Sequence, residues 1–211
     1  MSKIEPLPAW SLLTRSSVAG LLARPDGGPP PAIRLGPNLD AITSEMPLLA
    51  TLRLMIAHAR ANSGLTLTAK HALSRADTRA LFDDLVWPDY DKAEVLAANK
   101  VLNEGDVMPV ETTRLIAQTA KLFRRRERKL LATRVGQDLA AEDRSVDLFR
   151  RLFAQVFWRL DLGSLDHVPI NGWPQDHVGL VLWCLSVAAR EWSSVGDLLP
   201  VCTVLEPFPL M

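Results

Sequence analysis

A change in hydrophobic period near residue 64 constrains the fold of this chain more than any other feature. From about Glu45 to Ala61, apolar residues recur every three or four positions, which predicts an amphipathic helix. Asn62-Ser63-Gly64 ends this helix. The next segment, Leu65-Thr66-Leu67-Thr68, alternates apolar and β-branched polar residues and predicts a short strand. The pattern therefore indicates a small β element set among helices.

Further helices are predicted on both sides of an acidic connector. Ser74 and Asp77 have capping-box spacing and start a helix that runs to about Leu85. The connector spans residues 87–106 and includes a part, 92–101, that is compatible with a helix. Another helix is predicted to begin near Pro109, and Thr133 to open a short one over 134–141.

A basic segment follows the Pro109 helix and allows two structures. Leu122 to Thr133 has apolar ends and a charged middle, as expected for a hairpin with an exposed tip. However, arginine, glutamate, lysine and leucine all favour helices, so the Pro109 helix could also continue to Leu131. No Asn-Gly or Asp-Gly pair marks a two-residue turn. The residues alone leave both structures open.

With the hairpin, the chain is predicted to be mainly α and to contain a winged-helix-like module. The order of elements is then helix, strand, helix, helix, hairpin, helix, and the first strand pairs with the two strands of the hairpin. Residues 1–40 form an N-terminal helix and a Pro-rich arm in this interpretation. Residues 41–143 form the winged-helix-like module, and residues 144–211 form a C-terminal helical region with an apolar stripe from Phe149 to Leu160.

Several segments together resemble an uncharacterised bacterial family whose members are often described as plasmid open-reading-frame-like proteins. The similar segments lie between about residues 45 and 200, and they begin at Gly64, Asn103, Leu122, Leu148 and Glu191. In that family the piece around 122–136 resembles a basic hairpin that ends in Leu-Thr-x-x-Gly. The resemblance therefore implies the hairpin, although Glu127-Arg128 stands here in place of a glycine at the turn. It implies no activity.

Composition and charge limit the classes of function. The chain has 24 basic and 24 acidic residues, and this neutrality counts against strong non-specific nucleic-acid affinity while permitting a local basic patch. The uncharged run 178–189 is shorter than the about 20 residues that a membrane span needs, so no membrane association is expected. Cys184 and Cys202 are too few for a disulfide framework. With no leader-like N-terminus, these features predict a cytoplasmic protein with reduced cysteines.

The basic segment supplies the main candidate binding site. Arginine carries a planar fork that binds phosphate oxygens and keeps its charge at any physiological pH. On an exposed wing such residues would contact DNA phosphates. The alternatives are a solvated hairpin, or one whose charge is neutralised by Asp83, Asp84, Asp89 and Asp91. The candidate residues are Lys121, Arg124, Arg125, Arg126, Arg128 and Lys129.

The preceding helix supplies a second, smaller set of candidates. Arg114, Gln118 and Lys121 are spaced at i, i+4 and i+7, which places them on one polar face of a helix. Arginine and glutamine can both form paired hydrogen bonds with purine edges in the major groove. Glu111 lies on nearly the same face and would repel phosphates. The three residues are therefore candidates for base contacts.

No catalytic or cofactor motif stands out. Asp166-His167 and Asp176-His177 lack a third metal ligand at a diagnostic spacing, and no nucleophile elbow or phosphate-binding glycine loop is present. The chain is expected not to be an enzyme and to need no metal or cofactor. The predicted function is a winged-helix-type DNA-binding or regulatory protein whose basic wing contacts phosphates. The alternative is a winged-helix protein-interaction module, with a protein partner or a second copy bound through the tryptophan-containing C-terminal helices.

Overall fold

The computed structural model describes residues 8–24, 32–36, 39, 46–160 and 176–202. The proline-rich residues 25–31 of the predicted N-terminal arm lie outside these residues, as do Asp166 and His167. The chain forms two compact units. One is Gly36–Leu160, and the other combines Met1–Leu35 with Asp161–Met211. No helix in the described ranges has the length and apolarity that a membrane crossing requires.

Helices account for most of the described structure, which confirms the mainly α class. The elements are α1 (Arg15–Leu22), α2 (Pro47–Ala61), β1 (Leu65–Thr66), α3 (Arg75–Asp84), α4 (Lys92–Ala98), α5 (Met108–Thr119), β2 (Phe123–Arg126), β3 (Lys129–Ala132), α6 (Arg134–Leu139), α7 (Ser145–Trp158), α8 (Val178–Ala188) and α9 (Val195–Cys202). Short 3₁₀ helices lie at Ala9–Leu12, Glu104–Asp106 and Glu142–Arg144.

The basic segment forms a hairpin and does not continue the preceding helix. Helix α5 stops because Lys121 adopts a left-handed conformation, with φ of 60°. The amide of Leu122 donates to the carbonyl of Ala117 at 2.9 Å, and that of Lys121 donates to Gln118 at 2.9 Å. These two bonds form a Schellman motif, which satisfies the last carbonyls of a helix and turns the chain away from its axis.

One three-stranded antiparallel sheet joins the hairpin to the early strand. The order of strands is β1-β3-β2, with Leu65 opposite Leu130 and Phe123 opposite Ala132. The short strand predicted from the alternation after Gly64 is therefore present, and it pairs with the second strand of the hairpin. This pairing places the hairpin beside the end of α2.

The larger unit has its own hydrophobic core. Helix α7, which the sequence analysis assigned to the C-terminal region, contacts α2, α5 and α6. The unit thus extends to residue 160 instead of ending near residue 143. Core side chains that are almost entirely buried include Leu49, Leu52, Met55, Leu81, Phe82, Val110, Leu122, Leu130, Leu148 and Leu152.

The smaller unit packs α1, α8 and α9 around a second cluster that contains Trp10, Leu21, Leu180 and Cys184. The predicted N-terminal helix is divided into a 3₁₀ turn at Ala9–Leu12 and α1, because the Thr14 hydroxyl accepts from the Ser17 amide and starts α1 separately. Burial raises the pKa of the Cys184 thiol. This thiol therefore stays protonated at neutral pH and is a weak nucleophile.

Gly136 is required by a close approach between α6 and the start of the hairpin. A Cβ atom at this position would overlap the carbonyl oxygen of Leu122. The same carbonyl accepts from the Thr133 amide at 2.9 Å, and the Thr133 hydroxyl caps α6 by accepting from the Gly136 amide at 3.0 Å. The glycine at the end of the Leu-Thr-x-x-Gly pattern thus has a structural explanation.

Replacing Gly136 with alanine is expected to lower the free energy of unfolding by about 1–3 kcal/mol, because backbone atoms must shift to admit the methyl group. Urea unfolding followed by circular dichroism measures this loss. Gly105→Ala is the matched control, since a Cβ there meets nothing closer than a Glu111 oxygen at 3.9 Å. Equal stabilities of the two variants would contradict the proposed overlap.

Candidate nucleic-acid interface

The hairpin turns through two residues, Glu127 and Arg128. Arg126 and Lys129 are the last paired residues before this turn. Glu127 has φ of 54°, a left-handed conformation that glycine adopts at much lower cost than glutamate. The residue at which this sequence departs from the family pattern is therefore the one whose backbone would favour glycine.

Replacing Glu127 with glycine is expected to stabilise the hairpin. Release of the left-handed strain contributes about 1–2 kcal/mol, which the flexibility of glycine in the unfolded chain reduces by about 0.5–1 kcal/mol. Thermal or urea unfolding measures the net gain. Glu127→Gln is the control, because it removes the same charge while keeping the strained backbone. A glycine variant no more stable than this control would contradict the interpretation.

Successive residues of the strands point to opposite faces of the sheet. Arg124 lies opposite Leu131, and Arg126 lies opposite Lys129, so these four side chains share one face. Phe123, buried in the core, and Arg125 belong to the other face. We call the face of Arg124, Arg126 and Lys129 the outer face. The hairpin therefore presents cationic side chains on both sides.

The arginines of the hairpin are exposed and have no acidic partner in the part of the chain that the structure describes. Arg124, Arg125, Arg126 and Arg128 are all exposed, and none forms an ion pair within the described ranges. Of the residues in this cluster, Glu127 is the single acid. The cluster consequently keeps most of its positive charge.

The acids predicted as possible partners of the hairpin are engaged elsewhere. Asp83 pairs with Arg79 at 2.9 Å, and Asp84 contacts His58 at 2.9 Å. Asp91 caps α4 by accepting from two backbone amides at 2.8 and 3.1 Å. Three of the four acids that could neutralise the wing are therefore engaged with other partners.

Two basic residues near the tip attach the hairpin to the early strand. The ammonium of Lys129 donates to the carbonyl of Gly64 at 3.1 Å and to the hydroxyl of Thr66 at 3.2 Å. The guanidinium of Arg128 donates to the carbonyl of Leu67 at 3.4 Å. These side chains hold the strands together, which leaves Arg124, Arg125 and Arg126 as the cations with most freedom to bind a ligand.

Arg114 and Gln118, predicted to contact bases, are used inside the protein. Arg114 forms an ion pair with Glu104, and the two side chains are only 11% and 1% exposed. Arg114 also donates to the amide oxygen of Gln118 at 2.5 Å. The other carboxylate oxygen of Glu104 accepts from the Leu73 amide at 2.8 Å. Both predicted residues therefore leave the candidate interface, while exposed Lys121 stays at its edge.

Helix α5 is largely covered by its neighbours from Pro109 onward, while Met108 at its start is exposed. It contacts α2, α3, α7 and β2, and no side chain from Pro109 to Ala120 is classed as exposed. A helix in this position cannot insert side chains into a DNA groove without displacing other elements. The sequence pattern was correct about a polar face on α5 but could not show that this face is buried.

Sequence reasoning missed Arg60, an exposed residue in the last turn of α2. Arg60 and Arg124 line the same cleft, together with Ser63, Gly64, Leu131 and Gln137. Nothing in the local sequence of α2 distinguishes Arg60 from an ordinary solvated residue. Only the pairing of β1 with β3 brings it to the hairpin.

Among the residues that the structure describes, no three histidine, cysteine or acidic side chains converge on a point where a metal ion could bind. Asp176, one half of a predicted acid–histidine pair, forms an ion pair with Arg24.

Among the tryptophans that the structure describes, Trp158 is buried whereas Trp192 is fully exposed.

Residues 44–145, which include the hairpin and its supporting helices, match the family model of the Y4jL N-terminal domain. The chain is 30% identical to the uncharacterized protein y4jL of Sinorhizobium fredii over 108 residues. This aligned segment covers 51% of this chain and 49% of that protein. The chain thus spans about half the length of this curated relative. The predicted resemblance to an uncharacterised bacterial family is confirmed for this segment. No solved structure matches the chain.

Proposed function

We propose that the larger unit is a winged-helix-like module that binds duplex DNA through the sugar–phosphate backbone. The observation that carries this proposal is the set of three exposed hairpin arginines, Arg124, Arg125 and Arg126, which lack carboxylate partners in the described part of the chain. Arginine forks that are not engaged in ion pairs are suited to phosphate oxygens, and a two-stranded hairpin can carry them to a duplex.

The arrangement of elements supports the winged-helix part of the proposal. Helix α2 precedes β1, helices α3 and α5 follow it, and the hairpin comes directly after α5. The early strand pairs with the second strand of the hairpin in an antiparallel sheet. In this comparison the hairpin corresponds to the wing, and α5 corresponds to the helix that commonly enters the major groove.

The covered state of α5 determines the mode of binding that we propose. Because Arg114 and Gln118 are engaged internally, the contacts to DNA come from the hairpin and from Lys121. Such contacts fall on phosphates and carry little sequence information. Binding should therefore be weak, independent of sequence and strongly dependent on salt, as a local patch on a neutral protein would give.

The test is fluorescence anisotropy with labelled duplexes of unrelated sequence over a range of NaCl concentrations. We expect similar affinities for the duplexes, with the logarithm of the association constant falling linearly as the logarithm of salt concentration rises. Absence of salt-dependent binding at low salt would reject the proposal. A large preference for one duplex would reject the sequence-independent mode.

A second candidate is a protein-interaction module that self-associates through the C-terminal unit. It is favoured by three exposed apolar side chains: Val195 and Leu199, which lie one turn apart on α9, and Trp192, which precedes that helix. Sedimentation equilibrium tests it, with Trp192→Ser as the variant expected to shift a dimer to a monomer. A parent protein that stays monomeric at high concentration would exclude self-association.

A further inference from the structure

The outer face of the sheet ends in a cleft between the last turn of α2, the hairpin and α6. The cleft measures about 440 Å³ and is lined by Ala59, Arg60, Ser63, Gly64, Arg124, Leu131, Ala132 and Gln137. We propose that this cleft binds one phosphate group, held between the guanidinium groups of Arg60 and Arg124. The inference rests on the proposed function in that a DNA backbone phosphate is the expected occupant, but the chemistry is that of any phosphate group.

The charges around the cleft favour an anion. Arg60 and Arg124 come from different elements, both are exposed, and neither forms an ion pair in the described ranges. Among the described residues, no carboxylate lines the cleft. Two guanidinium groups that reach one phosphate can each donate paired hydrogen bonds to its oxygens, which a single arginine on a flat surface cannot match.

A helix C-terminus usually repels an anion, but hydrogen bonds at the end of α2 reduce this repulsion. Its carbonyls carry partial negative charge when they are unsatisfied. Here the carbonyl of His58 accepts from the backbone and side-chain nitrogens of Asn62 at 3.1 and 3.0 Å, and that of Ala59 accepts from the Gly64 amide at 2.6 Å. These bonds engage two of the last four carbonyls of α2.

The backbone at Gly64 keeps the cleft in shape. Gly64 has φ of 102°, and a Cβ atom there would lie 2.5 Å from Cδ2 of Leu131 and 3.2 Å from the Leu130 carbonyl. Its carbonyl is held by Lys129 at 3.1 Å. Two polar side chains line the cleft beside Gly64, those of Ser63 and Gln137. The Gln137 amide nitrogen donates one hydrogen to the Ala132 carbonyl at 3.2 Å and keeps a second one for the phosphate.

The experiment compares Arg60→Gln, Arg124→Gln and the double variant for affinity to one labelled duplex. The matched control is the pair Arg60→Gln and Arg125→Gln, since Arg125 is in the same strand as Arg124 but on the opposite face, so its loss should multiply with that of Arg60. Loss of one phosphate contact lowers affinity up to roughly eightfold at about 0.1 M salt. We expect each single cleft variant to lose affinity on this scale. Because both arginines hold one phosphate, the loss in the double variant should be clearly smaller than the product of the two single losses.

Two results in the duplex assay would contradict the proposed phosphate site in the cleft but not the proposed function. One is an Arg60→Gln variant that binds duplex as well as the parent. The other is a double variant whose loss equals the product of the two single losses, as independent contacts would give. In both cases the hairpin would still bind DNA, so failure of the cleft is distinguishable from failure of the proposed function.

A second measurement uses inorganic phosphate as the probe and does not depend on DNA binding. Amide resonances are followed by ¹H–¹⁵N nuclear magnetic resonance during a titration at constant ionic strength, with chloride as the reference salt. Phosphate-specific shifts at Gly64, Arg124 and Leu131 that disappear in the double variant support the cleft, even if no duplex binds. Shifts that are absent, or that persist in the double variant, overturn it.

Discussion

Replacement of Glu104 by alanine is expected to lower the free energy of unfolding by about 3–5 kcal/mol, because it leaves a buried arginine without its counter-charge. Glu104 is 1% exposed and joins Arg114 of α5 to the amide of Leu73. Its removal therefore disrupts one ion pair and one backbone hydrogen bond. Urea unfolding measures the loss, and with a stability typical of small domains the variant would be largely unfolded on mild heating.

Two control variants define what the Glu104 result means. Glu104→Gln keeps the size and a hydrogen-bond acceptor but removes the charge, so it should lose less than alanine. Glu94→Ala removes an exposed acid from α4 and should change stability by no more than about 0.5 kcal/mol. A loss below about 1 kcal/mol in Glu104→Ala would show that Arg114 is free in solution, and would return Arg114 to the candidate interface.

The combined replacement of Arg124, Arg125 and Arg126 by alanine should have the largest effect on binding. At about 0.1 M salt, counterion release from three phosphate contacts contributes a factor of roughly 10²–10³ to affinity, and the variant should lose affinity on that scale. The three side chains are exposed and are not part of the core, so the variant should remain folded. Fluorescence anisotropy gives the affinities, and circular dichroism checks the fold.

A charge-matched variant separates the hairpin from the net charge of the protein. Lys100, Arg144 and Arg150 are also exposed but lie outside the hairpin, and their replacement by alanine removes the same three positive charges. We expect this variant to bind duplex nearly as well as the parent. An equal loss in both triple variants would assign the binding to overall charge and not to the hairpin.

Local signals in the sequence predicted much of the fold. The change of period after residue 61 marked α2 and β1, and the side chains of Ser74 and Thr133 cap α3 and α6 as their positions indicated. These features depend on neighbours within a few residues, so they are visible in one sequence. The turn was harder to predict, because Lys121 and Glu127 adopt left-handed conformations without glycine or asparagine.

The candidate site was only partly predictable, because its accessibility depends on contacts that are distant in sequence. Glu104 looks like one acid among several in a connector, yet it is buried against Arg114 and removes that residue from the surface. Likewise, Arg60 reaches the site only because β1 pairs with β3. Hairpin residues Arg124 to Arg126, in contrast, lie on one exposed strand, so their accessibility follows from the local hairpin.

The most direct test of the proposed phosphate contacts is the slope of the logarithm of the association constant against the logarithm of salt concentration. Each phosphate contact contributes about 0.9 to the magnitude of this slope for duplex DNA. The account predicts that the slope of the Arg124, Arg125 and Arg126 triple variant is smaller than that of the parent by about 2.7. A slope equal to that of the parent, with the variant folded, would contradict the assignment of the hairpin as the DNA-binding element.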